Sequence, residues 1–158
     1  MSVDLSTYGG NTLPIGFPGA VVDGNPTTIQ SKTNDQSVAI DFGVAVARSA
    51  ADDTCKAPAA DGDKIIGLSV RNATKVSSGG VVNYAQNDSV AIMKSGFMYV
   101  TAYENATRGD GAISVTAQNG KVGSTTGGAA GAGRVAIPGA TWETTTTAGS
   151  VGIVRIIS

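Results

Sequence analysis

The sequence predicts an all-β protein: a single small antiparallel β-barrel or sandwich, of jelly-roll or related type, with an extended N-terminal arm. Three observations carry this. Apolar residues alternate with period two in several short stretches. Glycine fills 22 of the 158 positions, about twice the usual ~7%, so turns are frequent. Helical patterning is nearly absent. The length suits one domain, which buries roughly 68–70% of its unfolded surface.

Residues 1–19 read as the arm and 20–158 as the barrel domain. In LPIGFPGAVVDGNP (13–26), Leu13, Ile15 and Phe17 offer apolar anchors at period two. Pro14 and Pro18 hold the chain extended and withhold amide donors. Ala20–Val22 leads into the barrel, and residues 23–26 form a turn. In AIDFGVAVAR (39–48), Phe42, Val44 and Val46 share one face, and Gly43, Ala45 and Ala47 the other. That is a strand with a thick and a thin face. VARSAADDTCKA (46–57) has alanines enough for a helical turn or two. In KIIGLSVRN (64–72), Ile66, Leu68 and Val70 alternate with Gly67, Ser69 and Arg71. DSVAIMKSGFMYVTAY (88–103) reads as one or two strands, with a bulge or kink at Ser95-Gly96. GAISVTAQNGKVG (111–123) reads as a hairpin turning at Asn119-Gly120. Residues 123–140 read as a glycine- and alanine-rich loop, either free on the surface or ordered against a neighbouring subunit. Trp142 is an interface anchor or a core residue. SVGIVRIIS (150–158) is a strand that ties the C-terminal stretch into a sheet.

Composition also narrows function. There is no histidine, which removes His triads, His general bases and the common zinc and iron sites. The single Cys55 leaves no internal disulfide and reads as a packing group. Net charge is −1 and the 11 basic residues are scattered, so nucleic acid is not an expected partner. No stretch approaches the ~20 apolar residues of a membrane helix, and MSVDLSTYGG does not resemble a secretory signal. Arg108-Gly109-Asp110 reads as a turn, and Asp61-Gly62-Asp63 as a solvated loop short of calcium ligands. The sequons at Asn72, Asn87 and Asn105 have no meaning without secretion. Asp110 with Glu104 is a candidate carboxylate pair for glycoside hydrolysis, but any chain with 12 acids offers one. GSTTGGAAGAG (123–133) lacks the Lys-Ser/Thr of a phosphate loop. No catalytic, metal or cofactor residue is expected.

The order of pieces is itself a pattern. GFPGAVVD is followed by AIDFGVAVAR, KIIGLSVRN, a strand pair ending GFMYVTA, RGDGAISV, and a closing IPGATWETTTTAGSVGIVRI. Over roughly residues 14–157 the chain resembles the structural cement proteins of tailed bacteriophages. The resemblance implies a small all-β domain on the outer surface of the virion capsid, made in the bacterial host cytoplasm. It implies the major capsid protein and further copies of itself, as a homodimer or homotrimer, as partners. It implies no enzymatic activity and no cofactor. The 123–133 insert departs from that pattern.

An arm of 19 residues extends to roughly 60 Å. The folded domain has a radius of gyration near 15 Å, so the arm reaches a neighbour. Leu13, Pro14, Ile15, Phe17 and Pro18 are therefore candidate interface residues, with Trp142. The arm docks on another chain, or it covers an open barrel end of its own. A phage tail or fibre module is the alternative role, and a carbohydrate-binding sandwich a weaker one for want of an aromatic row.

Overall fold

A computed structural model describes residues 16–22, 24–72 and 83–157. Among these the fold has eleven strands and one 3-10 turn, Thr116–Gln118. The strands are β1 (Thr28–Asn34), β2 (Ile40–Asp41), β3 (Ala45–Arg48), β4 (Thr54–Lys56), β5 (Ile65–Ser69), β6 (Asn83–Tyr84), β7 (Ser89–Thr101), β8 (Gly111–Val115), β9 (Lys121–Ser124), β10 (Arg134–Trp142) and β11 (Val151–Ile156). The all-β, barrel-like expectation is met.

β7 organises the molecule. Its first half pairs with β1 on one side and β5 on the other. Its second half pairs with β11. The order β1-β4-β3-β5-β7 closes on itself, because β1 returns to β7. The order β7-β11-β10-β8-β9 forms a second ring, closed by a bridge between Val122 and Ala102 and the bond Tyr103 N–H to Val122 O at 2.8 Å. Between the two rings β7 must bend. Thr28 faces Ser95 while Ile29 faces Met93, so Lys94 is bulged out. Next in line, Gly96 takes φ +130°, where a Cβ would fall 2.9 Å from Thr27 Oγ1. The Ser95-Gly96 kink is the joint between the rings.

Two apolar clusters fill the rings. The first holds Ile40, Phe42, Val44, Val46, Cys55, Tyr84, Val90 and Ile92. Phe42 meets Tyr84 edge-on with centroids 5.3 Å apart. The second holds Met98, Val100, Val122, Ile137, Trp142, Val154 and Ile156, together with Ala45, Ala47, Leu68 and Met93 from the first ring's strands. So β3, β5 and β7 are buried on both faces and form a common wall. The thick face of β3 supplies Val46 to one core, and its thin alanine face lets the other core close up.

Three expectations need correction. The 46–57 stretch is the β3–β4 hairpin, not a helical turn, because Cys55 is buried and opposite Arg48 in the ladder. Strict alternation in 64–72 fails at Ile66: Val46 faces Gly67 and Ala47 faces Ile65, so Ile66 is a bulge that swings into the first core. The loop expected over 123–140 is half strand. β9 runs to Ser124, and Arg134, Val135 and Ala136 pair with β8. Only 125–133 connects them; β10 then swells at 137–140 before rejoining β8 at Thr141. The 111–123 hairpin is present, with Asn119 and Gly120 at φ 54° and 85° ending a longer, 3-10 connection.

Candidate interaction surface

Every strand of the nine-stranded sheet has a neighbour on both sides, counting the bridge that covers β9. Among the described residues the pairing is partial on some strands: β4 covers only Thr33 and Asn34 of β1, and Thr28–Lys32 pair with β7 alone. Three side-chain surfaces are well defined.

The first is the segment Phe17–Val22, the start of the barrel beside the expected arm. Phe17 to Ala20 is a reverse turn closed by Ala20 N–H to Phe17 O at 2.9 Å. Gly19–Val22 then runs antiparallel along β7. Gly19 N–H donates to Tyr99 O at 2.8 Å, Tyr99 N–H to Ala20 O at 2.9 Å, and Val22 N–H to Phe97 O at 3.0 Å. Arg71 N–H binds Gly19 O at 2.8 Å. The Arg71 guanidinium lies between two rings, 4.9 Å from the Phe17 centroid and 5.6 Å from that of Phe42. Phe17 nevertheless remains 68% exposed. Residues 17–22 thus bind their own subunit through backbone bonds, with Pro18 half-buried; Leu13, Pro14 and Ile15 lie outside the described residues.

The second is a cleft of about 620 Å³ beside this segment. Pro18, Phe42, Val44 and Ala102 give it apolar lining, and Asp41, Arg71 and Lys121 line it with charge. Tyr103, 41% exposed, also lines it. The third is an apolar groove of about 460 Å³ between the rings, lined by Ile65, Ile66, Ile137, Pro138 and Ile157, with Ile157 61% exposed.

The 125–133 connection is held by its own chain. Glu104 forms a double contact with Arg134 and accepts Ser124 N–H at 2.9 Å. Arg134 also donates to Ser124 O at 2.9 Å and Gly128 O at 3.2 Å. Side chains at 123 or 127 would collide with this pair, since a Cβ there would lie 2.3 and 2.1 Å from Glu104 atoms. Burial pushes the Glu104 carboxyl up, but Arg134 and the Ser124 amide outweigh it and hold the group below its usual value. At Asp110, the Thr126 hydroxyl and then the Thr107 amide lower the carboxyl. The candidate carboxylate pair is thus committed to bracing loops. Arg134 is the only charged residue between Lys121 and Glu143, and that isolation was the one sequence signal for the brace.

The remaining candidates resolve as structure. Of the two readings of Trp142, the structure takes the core: it is fully buried, and its indole N–H donates to Gly123 O at 3.0 Å. It presents no surface to a neighbour. Cys55 is buried, which pushes its thiol up to about 11 and leaves it inert. Residues 107–110 are a turn, Asp110 N–H to Thr107 O at 2.9 Å. Asp63 accepts the Ala59 and Ala60 amides and pairs with Lys56 at 2.7 Å, and Asp61 accepts Gly133 N–H at 2.7 Å. Among the described residues no group of three or more acidic or Cys side chains is placed to hold a metal. Arg71 and Tyr103 had no distinguishing sequence signal.

A family model described as structural cement protein (E217 gp24/Pam3 gp6) matches residues 5–157. No curated protein matches the chain. Among solved structures, a chain of the capsid of Myoviridae phage XM1 is similar, with TM-score 0.68 and 18% identity over 92% of each chain. At that identity the likeness speaks to the fold.

Proposed function

This chain belongs to the structural cement protein family, and from that premise we propose that it decorates the outside of a tailed-phage head and bridges adjacent capsomers. Its role is structural and its place is the phage capsid. The bridging works by addition of free energies. Packaged DNA pushes the shell outward and loads the contacts between capsomers. A protein bound across a seam adds its own binding free energy to the cost of opening that seam. Several modest contacts per oligomer then act together through effective concentration. A stable interface needs roughly 1,200–2,000 Å² of buried surface, more than a small closed barrel easily presents. The arm supplies the difference: part of residues 1–19 docks on another chain, with Leu13, Pro14, Ile15, Phe17 and Pro18 as its candidate contact residues.

The family match along nearly the whole chain carries this reading, and the closed sheet with its exposed arm root and clefts supports it. The test compares heads lacking the protein with heads to which it has been added back. Image reconstruction should show it at seams on the outer face, and heat should release DNA at a higher temperature from the decorated heads. Equal heat resistance, or density away from capsomer seams, would overturn the proposal.

A further inference from the structure

We propose that the cleft at the arm root receives the arm of a second copy of this chain, with Leu13 and Ile15 entering it, so that two copies exchange arms about a two-fold axis. The proposal rests on the reading of residues 1–19 as a docking arm and names its receptor.

Four observations carry it. First, the remaining arm, residues 1–15, joins the described structure at Gly16, two residues from Pro18 in the lining of the cleft. Leu13 precedes Gly16 by three residues, a reach of roughly 10 Å, so its receptor must adjoin a root. Second, the arm's own cleft lies the wrong way. Gly19–Val22 runs along β7 from Tyr99 toward Phe97, while the cleft sits at the other end, at Thr101–Tyr103. The Phe17–Ala20 turn reverses the chain and sets Gly16 against the Tyr99 ring, where a Cβ would lie 2.2 Å from Cδ2, so the chain at Gly16 is turned away from its own cleft at Thr101–Tyr103. Third, β7 beside the cleft is flanked by β11 on one side and by Gly19–Val22 of its own chain on the other, so a side-chain cleft is the kind of receptor offered there. Fourth, the cleft's volume lies in the 300–1,000 Å³ range of ligand sites, and its apolar lining suits two aliphatic side chains flanking a proline. Because root and receptor adjoin, one two-fold operation satisfies both arms and closes the assembly. A receptor remote from the root would instead give rings or fibres.

Cross-linking tests this on the purified full-length protein. Leu13→Cys in one copy is mixed with Tyr103→Cys in another and mildly oxidised; the native Cys55 is buried and stays silent. After subunit exchange about half of an equimolar mixture, the mixed dimers, should shift to twice the monomer mass. The Leu13→Cys protein mixed with Ile157→Cys, whose position is exposed in the other groove, should stay monomeric on denaturing gels. A Leu13→Cys/Tyr103→Cys double variant that closes its disulfide within one chain would overturn the proposal. So would cross-linking through Ile157→Cys, or no cross-link in variants whose far-UV circular dichroism is native. Sedimentation gives a second reading: the parent should be a dimer, and removal of residues 2–15 should halve its mass; a monomeric parent refutes the exchange. Arm exchange without added head stability would sink the cement reading alone, and added head stability without exchange would sink only this one.

Discussion

The first ring is closed by strand pairing all the way round and filled by Phe42, Tyr84, Val46 and Ile92. The second is closed by one bridge, and its loops are braced by Glu104 with Arg134, Asp110 with Thr126, and Asn105 with the Ala148 amide. Apolar burial does not depend on pH, and carboxylate braces do. Where glycine, threonine and alanine leave little to bury, order comes from acceptors aimed at backbone amides. The rings are nevertheless not separate bodies, since β3, β5 and β7 bury side chains into both.

Trp142→Ala is the strongest way to break the comparison. Its indole is fully buried in the second core and tied to β9. Its truncation should cost about 3–5 kcal/mol. That is a large part of the roughly 5–15 kcal/mol typical of a domain. With a common wall, denaturant unfolding followed by far-UV circular dichroism should remain one transition at a lower midpoint. Two transitions, with half the signal kept at the parent midpoint, would show that the first ring stands alone.

Glu104→Gln sharpens the contrast in chemistry. It keeps the shape and loses the charge that meets Arg134, and should cost about 1–2 kcal/mol at neutral pH. Glu104 is held below its usual value in the folded protein. Its contribution is therefore complete above the ordinary carboxylate range, near pH ~4, and disappears as pH falls through the lowered folded value. Asp110 acts in the same direction. In the first ring Asp35, held low by Gln36 and Ser49, and Asp63, raised by burial but lowered more by the Ala59 amide and Lys56, respond in the same direction. In an acid titration followed by Trp142 fluorescence, the parent should loosen below that range and the variant should show a weaker change. Superimposable curves would mean that the brace does not stabilise the second ring.

The strand-rich fold could be read because burial leaves a period. Val46 beside Ala45 and Ala47 showed a thick and a thin face, and the Ser95-Gly96 dipeptide marked the bend in β7. Bulges hid the rest. A single extra residue at Ile66 reverses the facing of a strand, and nothing in its composition marks it. The 134–142 strand was obscured by the glycine-rich residues before it and by Pro138-Gly139 within it. Long-range braces such as Glu104 with Arg134, thirty residues apart, follow from topology, which one sequence does not contain. Arg71 as the partner of Phe17 could not be read, since a cation between two aromatic rings has no spacing in sequence.

Arg71→Ala should have the smallest effect and separates the arm root from both cores. The guanidinium stacks on Phe17 and Phe42, a contact worth about 0.5–1 kcal/mol near the surface. Phe17 is 68% exposed, so little burial is lost with the stack. The backbone bonds from Gly19, Tyr99 and Val22 survive, as does the Arg71 amide to Gly19 O. The global midpoint should therefore move far less than in Trp142→Ala. The loss should appear locally, as about two- to fivefold faster hydrogen exchange at the Gly19 and Val22 amides. Exchange unchanged at those amides would show that the ladder alone holds the root. A midpoint shift rivalling that of Trp142→Ala would place Arg71 in the first core, and the arm would then be part of that ring and not an attachment to it.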